Sequence, residues 1–156
     1  MLNMQQTLVL IKPDGVQRGL IGEIIKRFEQ RGLKIIGLKL VWVDEKFAEK
    51  HYEEHTGKPF FKELTSFLME GPVTAIVLEG KQCIKFVRKI VGNTKPQDAI
   101  PGTIRGDFAH NLGPGGRNMI HASANEPDAK KEIKLWFNNK EIFDYLRADQ
   151  SHHYKK

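Results

Sequence analysis

The sequence predicts an α+β fold, a four-stranded antiparallel sheet with helices packed on one face. Three observations carry this. Short apolar runs rich in β-formers alternate with stretches in which apolar residues recur every three to four positions. Clusters of Gly, Pro and Asn/Asp separate the two kinds of segment. The resulting order is β-α-β-α-α-β-α-loop-β-α. With one helix pair set aside it reads βαββαβ, the ferredoxin-like split unit. At 156 residues the chain has the size of one domain, and it reads as a single domain over residues 1–156.

The elements follow in order. Residues 7–11, TLVLI, form a buried strand that ends in the turn chemistry of Lys12-Pro13-Asp14-Gly15. Leu20, Ile21, Ile24, Ile25 and Phe28 recur at helical spacing, and Gly32 stands just past the helix end. Residues 33–43 read as a second strand. Asp44 can cap a helix that carries Phe47, Ala48 and Tyr52, and Gly57-Lys58-Pro59 breaks it. A short helix is expected over residues 60–69, and a third strand, VTAIVL, over residues 73–78. Cys83, Ile84, Val87, Ile90 and Val91 make the stripe of the next helix.

Residues 95–111 hold two prolines and two glycines with no period, so they read as a long loop; in a compact domain such loops usually carry function. Gly113-Pro114-Gly115-Gly116 reads as a flexible connection. A fourth strand then ends near His121, with Met119 and Ile120 inside it. Asn125 with Glu126, Pro127 and Asp128 starts the last long helix, whose buried face is Ile133, Trp136 and Phe137. The tail, residues 152–156, is expected to be disordered.

Composition narrows the function. No apolar run approaches the roughly 18 residues that span a bilayer, and the N-terminus lacks the pattern of a secretory signal. A single cysteine, Cys83, allows no internal disulfide and reads as a small core residue. A cytoplasmic protein without a membrane partner is the expectation. The net charge of +6 favours anionic partners: nucleic acid, nucleotides or phosphorylated metabolites. Neither G-x-x-x-x-G-K-[ST] nor G-x-G-x-x-G occurs, so any phosphate is handled without a P-loop or a Rossmann turn.

Two patterns compete for attention. His51-Tyr52-Glu53-Glu54-His55 fits H-x-x-E-H, and two histidines one helical turn apart can share zinc, but no third ligand is placed to complete the set. A solvated helix with Tyr52 inward is the plainer reading. His121 is more informative. It ends a core strand, small residues (Ala122, Ser123) surround it, and Glu132 on the following helix is placed to face it. A carboxylate on one ring nitrogen fixes the tautomer and leaves the other as a lone pair, and such a histidine can be a covalent nucleophile.

Four stretches in order, TLVLIKPDGVQRGLIGEII, HYEEHTGKPFF, TKPQDAIPGTIRGDFAHN and NMIHASAN followed by KKEIKLWF, resemble nucleoside diphosphate kinases over residues 7–145. The resemblance implies transfer of the γ-phosphate of a nucleoside triphosphate to a nucleoside diphosphate, by a ping-pong route through a phosphohistidine. It places the nucleophile at His121. It puts nucleotide contacts at Lys12, Phe60, Arg88, Thr94, Arg105 and Asn118, and supporting roles at Tyr52, Ser123 and Glu132. Phe60 would stack on the base, and Lys12 and Asn118 would meet the sugar hydroxyls, with Lys12 also near the terminal phosphates. Arg88, Thr94 and Arg105 would hold phosphates. Mg²⁺ would ride on the phosphates of ATP, GTP, ADP or GDP, and the chain would assemble as a homo-oligomer, a hexamer or a tetramer.

Two departures from the family pattern stand out. The nucleophile is usually followed by Gly-Ser-Asp, whereas here His121 precedes Ala122, Ser123 and Ala124. The stretch from Asp107 to Arg117 also looks about three residues longer than usual. The competing reading is a basic nucleic-acid-binding module of the same fold, which would need exposed aromatics on its strands. Only Trp42 is a candidate for that.

Overall fold

The structure, a computed structural model, describes residues 4–153. Four strands, β1 (Met4–Ile11), β2 (Lys34–Val41), β3 (Val73–Lys81) and β4 (Ile120–Ala122), form one antiparallel sheet in the order β2-β3-β1-β4. Eight helices accompany them: α1 (Pro13–Gln17), α2 (Ile21–Gln30), α3 (Glu45–His51), α4 (Phe61–Met69), α5 (Cys83–Val91), α6 (Ile104–Phe108), α7 (Glu126–Trp136) and α8 (Gln150–His153).

The caps follow the chemistry of the residues. Asp44 accepts from the Phe47 N–H at the start of α3, Thr103 from Gly106 N–H at the start of α6, and Asn125 from Asp128 N–H at the start of α7. A Pro in the first turn of α7 leaves no intrahelical bond unmade.

Helices cover both faces of the sheet, not one. Val9, Ile11, Ile76, Leu78, Ile120 and Ala122 pack with Ile24 and Phe28 of α2, Val87 and Val91 of α5, and Ile104 of α6. Leu8, Leu10, Ala75 and Val77 pack on the other face with Ala48 of α3, Leu68 of α4 and Trp136 of α7. The unbroken apolar runs of β1 and β3 are the signature of strands buried on both sides. An amphipathic single-faced sheet would have alternated.

Other differences arise where short local structure interrupts a pattern. The turn at Pro13 continues into α1. The expected long loop holds a 3-10 turn at Pro96–Asp98 and then α6. The Gly-Pro-Gly-Gly stretch is ordered rather than flexible: Pro114–Gly116 is a 3-10 turn, closed by a bridge between Gly113 and Arg117. Gly115 is buried there at φ +69, and a Cβ would stand 2.7 Å from the Glu63 carbonyl and 2.8 Å from Phe67. Only glycine allows that approach to α4. The second strand stops at Val41, leaving Trp42 outside it. In the tail, His152 and His153 lie in α8, and residues 154–156 fall outside the described residues.

β4 comprises only three residues. Met119 is not part of it: its φ of +73 is left-handed, with its N–H bound to Asp14 Oδ2 at 3.1 Å and its carbonyl to Lys12 N–H at 2.9 Å. This kink lies between Asn118 and His121 along the chain. Strained backbone of this kind persists only where its surroundings over-determine it. Register then decides the aim of His121. It pairs with Leu10 of β1, whose side chain belongs to the α3/α7 face.

Candidate active site

One cavity of about 280 Å³ gathers Lys12, Arg88, Thr94, Arg105, Asn118 and His121, with Ala122 and Ala124 also in its wall. Six of the ten residues singled out in the sequence thus share one wall. Tyr52, Ser123 and Glu132 stand behind it, around His121. Phe60 is outside it, 45% exposed at the N-cap of α4 and packed edge-on against His55 at 5.5 Å.

His121 Nε2 lies 3.0 Å from Glu132 Oε1. Ser123 Oγ donates to the other carboxylate oxygen at 2.5 Å, and itself accepts from Leu8 N–H at 3.2 Å. Burial favours the neutral acid at Glu132, but the hydrogen bonds from His121 and Ser123 outweigh it and hold the carboxyl below its usual range. A carboxylate facing Nε2 keeps the proton there and leaves Nδ1 as the lone pair. Tyr52 is buried beside this group; burial, then the Glu132 and Asp14 carboxylates, raise its pKa, so it stays a neutral phenol.

The cationic side is built from the backbone. Lys12, at the end of β1, donates to the Gly116 carbonyl and to Asn118 Oδ1, both at 2.8 Å. Asn118 Nδ2 donates in turn to the Thr94 carbonyl at 2.8 Å. Arg105, on α6, spends its guanidinium on three carbonyls: Asn118 at 3.2 Å, Gly92 at 3.2 Å and Ile120 at 2.5 Å. Burial and the neighbouring Arg88 lower its pKa to about 10, which still leaves it charged at neutral pH. Arg88 is exposed on α5, with only a long contact of 3.5 Å to the Ala122 carbonyl.

Lys12 is the strained cation. Burial, and then repulsion from Arg105, lower its pKa from 10.5 to about 7, against the pull of Asp14. The sign of the linkage follows. The folded, ligand-free protein binds this proton more weakly than the unfolded chain, so the penalty is full below pH 7 and is relieved as pH rises from about 7 towards 10.5. An anion bound beside Lys12 restores the charge. Binding of ADP at pH 7.5 is therefore expected to take up a fraction of a proton, read as a buffer-dependent binding enthalpy. Lys12→Met removes that uptake; equal uptake in the variant would assign the proton elsewhere.

These groups make a basket of three cations around an oriented imidazole, suited to a polyphosphate whose terminal phosphorus meets a nitrogen nucleophile. A family model described as nucleoside diphosphate kinase matches residues 5–142. The chain belongs to the nucleoside diphosphate kinase family.

Individual relatives agree. A nucleoside diphosphate kinase of Pyrococcus furiosus is 52% identical over 148 residues, 95% of this chain and 92% of that protein. One from Pyrococcus abyssi is 54% identical over 145 residues, 93% and 91% of the two chains. Among solved structures, the nucleoside diphosphate kinase of Halobacterium salinarum in complex with CDP superposes with a TM-score of 0.92 at 45% identity, covering 98% of this chain and 100% of that one. A transition-state mimic of the Borrelia burgdorferi enzyme with bound vanadate and ADP gives 0.90 at 45% identity, covering 96% of each.

The H-x-x-E-H pattern does not place its two histidines for a shared metal here. His51 ends α3 while Glu53–His55 is a 3-10 turn, so the two imidazoles do not share a helical face. Among the described residues no group of three or more His, Cys, Asp or Glu could hold a metal ion. The glycine stretch, by contrast, mattered more than its composition suggested: the Gly116 carbonyl anchors Lys12. Asp14, which holds Met119, and His51, which packs on His121 at 5.1 Å, were also not recognised as site residues. A turn residue next to Lys12 and a histidine preceding Tyr52 were the available signals.

Proposed function

We propose that this kinase carries the γ-phosphoryl group of a nucleoside triphosphate on His121 Nδ1 and passes it to a nucleoside diphosphate. The observation that carries the reading is the Glu132–His121 pair opening onto a cavity with three cations. The Nδ1 lone pair attacks the γ-phosphorus, the bond to the bridging oxygen breaks, and the nucleoside diphosphate leaves with that electron pair. A second diphosphate reverses the step and discharges the enzyme.

Arg88, Arg105 and Lys12 hold phosphate oxygens as charge builds on them, Thr94 adds a hydroxyl, and Asn118 meets the sugar with Lys12. Phe60 stacks on the base. Stacking without base-edge hydrogen bonds accepts every base, so ATP, GTP and other nucleotides serve alike. The cavity wall holds no carboxylate, which fits a magnesium ion carried on the nucleotide phosphates rather than in a protein cage. When bound, it supplies charge neutralisation on the phosphates.

Incubation with γ-labelled ATP is expected to give an acid-labile, base-stable phosphoprotein that GDP discharges. A protein that takes up no label overturns the reading.

The basic nucleic-acid module finds little support. Trp42 is 68% exposed, but it lies beyond β2 and donates to the Met69 carbonyl at 2.8 Å. No helix among the described residues is long and apolar enough to cross a membrane, and a cytoplasmic setting fits a nucleotide substrate.

A homo-oligomer, hexamer or tetramer, is also proposed. β2 is an edge strand, and Leu38 and Leu40 are 52% and 60% exposed on one side of it, in line with Trp42. An apolar edge of this kind invites pairing with a second copy. Sedimentation at micromolar concentration should show an assembly, and Leu38→Lys with Leu40→Lys should split it. A monomeric parent protein refutes the proposal.

A further inference from the structure

His51 closes α3 and is half-buried against Trp136 and His121. Its ring stands 5.5 Å from the Trp136 ring and 5.1 Å from the His121 ring, nearly perpendicular to both. The Trp136 indole N–H donates to His51 Nδ1 at 3.2 Å. An indole nitrogen can only donate, so His51 Nδ1 is bare and the neutral ring carries its proton on Nε2. That Nε2 is buried and has no hydrogen-bond partner among the described residues. Burial, then the nearness of His121, Lys12 and His55, lowers the His51 pKa well below 6.5, so the ring stays neutral. A buried donor without an acceptor costs stability, and native proteins rarely leave one without reason.

Two of the groups that act on His51, His121 and Lys12, belong to the cavity wall, but His51 itself does not. Of the groups in that wall, His121 stands against the His51 ring, 5.1 Å between centroids. We propose that the Nε2–H of His51 is kept free for the phosphorylated state: an oxygen of the phosphoryl group on His121 accepts its hydrogen bond, and Trp136 fixes the tautomer that supplies it. His51 keeps its proton throughout, and the bonds made and broken are those of the transfer itself. The proposal rests on His121 as phosphoryl carrier.

The test is the equilibrium between enzyme plus ATP and phosphoenzyme plus ADP, titrated through the ATP/ADP ratio. His51→Phe keeps a ring against His121 but has no donor, and should shift the balance away from the phosphoenzyme by about tenfold or more, the worth of a hydrogen bond to a charged acceptor. His51→Gln, which restores an N–H, should recover part of the shift. Trp136→Phe keeps an aromatic ring and releases the tautomer, so it should fall between, and it carries the test if His51→Phe does not fold. Thermal stability of ligand-free His51→Phe should fall only as far as that of Trp136→Phe, because both lose the single Trp136–His51 hydrogen bond and the Nε2 donor makes none in that state. An equilibrium unchanged in both His51→Phe and Trp136→Phe overturns the proposal. Absence of label in the parent protein instead overturns the assignment of His121.

Discussion

His121→Ala is expected to abolish phosphoenzyme formation and to lower the rate of transfer from ATP to GDP by about four orders of magnitude or more. The ping-pong route has no substitute for the nucleophile, because the other polar side chains of the wall are three basic groups, one amide and the Thr94 hydroxyl, which no base activates. Direct transfer between two nucleotides would need both polyphosphates against the one wall of cations. The variant should remain folded. His121 is partly exposed, and Glu132 keeps its hydrogen bond from Ser123 when the imidazole is removed. The loss of one partly buried hydrogen bond corresponds to about 1 kcal/mol, or about 2–4 °C in Tm for a chain of this size. A labelled His121→Ala protein would move the nucleophile to another of the six histidines.

Arg105 and Arg88 separate structure from chemistry. Both line the cavity, but Arg105 is 7% exposed and ties together the Gly92, Asn118 and Ile120 carbonyls, whereas Arg88 is exposed and has one long contact. Removing Arg105 frees three acceptors, two of them beside the kink that aims His121. Arg105→Ala should therefore lose about 3 kcal/mol of stability, an expected fall of about 6–12 °C in Tm, in addition to its activity. Arg88→Ala should change stability by no more than about 0.5 kcal/mol, while kcat/KM falls about tenfold to a hundredfold for want of one charge-assisted bond. Thermal unfolding and steady-state kinetics on the two variants decide this. Equal loss of stability in both would mean that the carbonyl network of Arg105 contributes nothing.

The site was legible to different depths. His121 and Glu132 could be paired from the chain because they sit eleven residues apart across a strand, a cap and a helix start, all with strong local signals. Lys12 directly follows a core strand, where a solvated lysine is as ordinary as a binding one, and the family resemblance gives it its role. Arg88, Thr94 and Arg105 carry no local signal of a site, and only the family resemblance groups them. What the spacing did not show was that Arg105 is mainly turned to backbone carbonyls, or that Lys12 is buried enough to lose much of its charge at neutral pH. Those properties come from the packing of α6 and the glycine turn over β1.

Apolar period, turn residues and helix caps act over a few positions, so the chain alone marks out its strands, its main helices and the imidazole at the end of the fourth strand. They act too locally to tell which sheet face a helix will cover: β1 and β3 are apolar on both sides, and helices pack on both. Short elements such as α1, α6 and the 3-10 turn at Pro114 have too few residues for a period to register. The left-handed Met119, bound to Asp14 105 positions away, the carbonyls around Arg105 and the contact of Trp136 with His51, 85 positions away, join distant residues. Only the closed fold brings such partners within hydrogen-bond distance, because burial of the two cores, not any local preference, sets where α3, α6 and α7 lie.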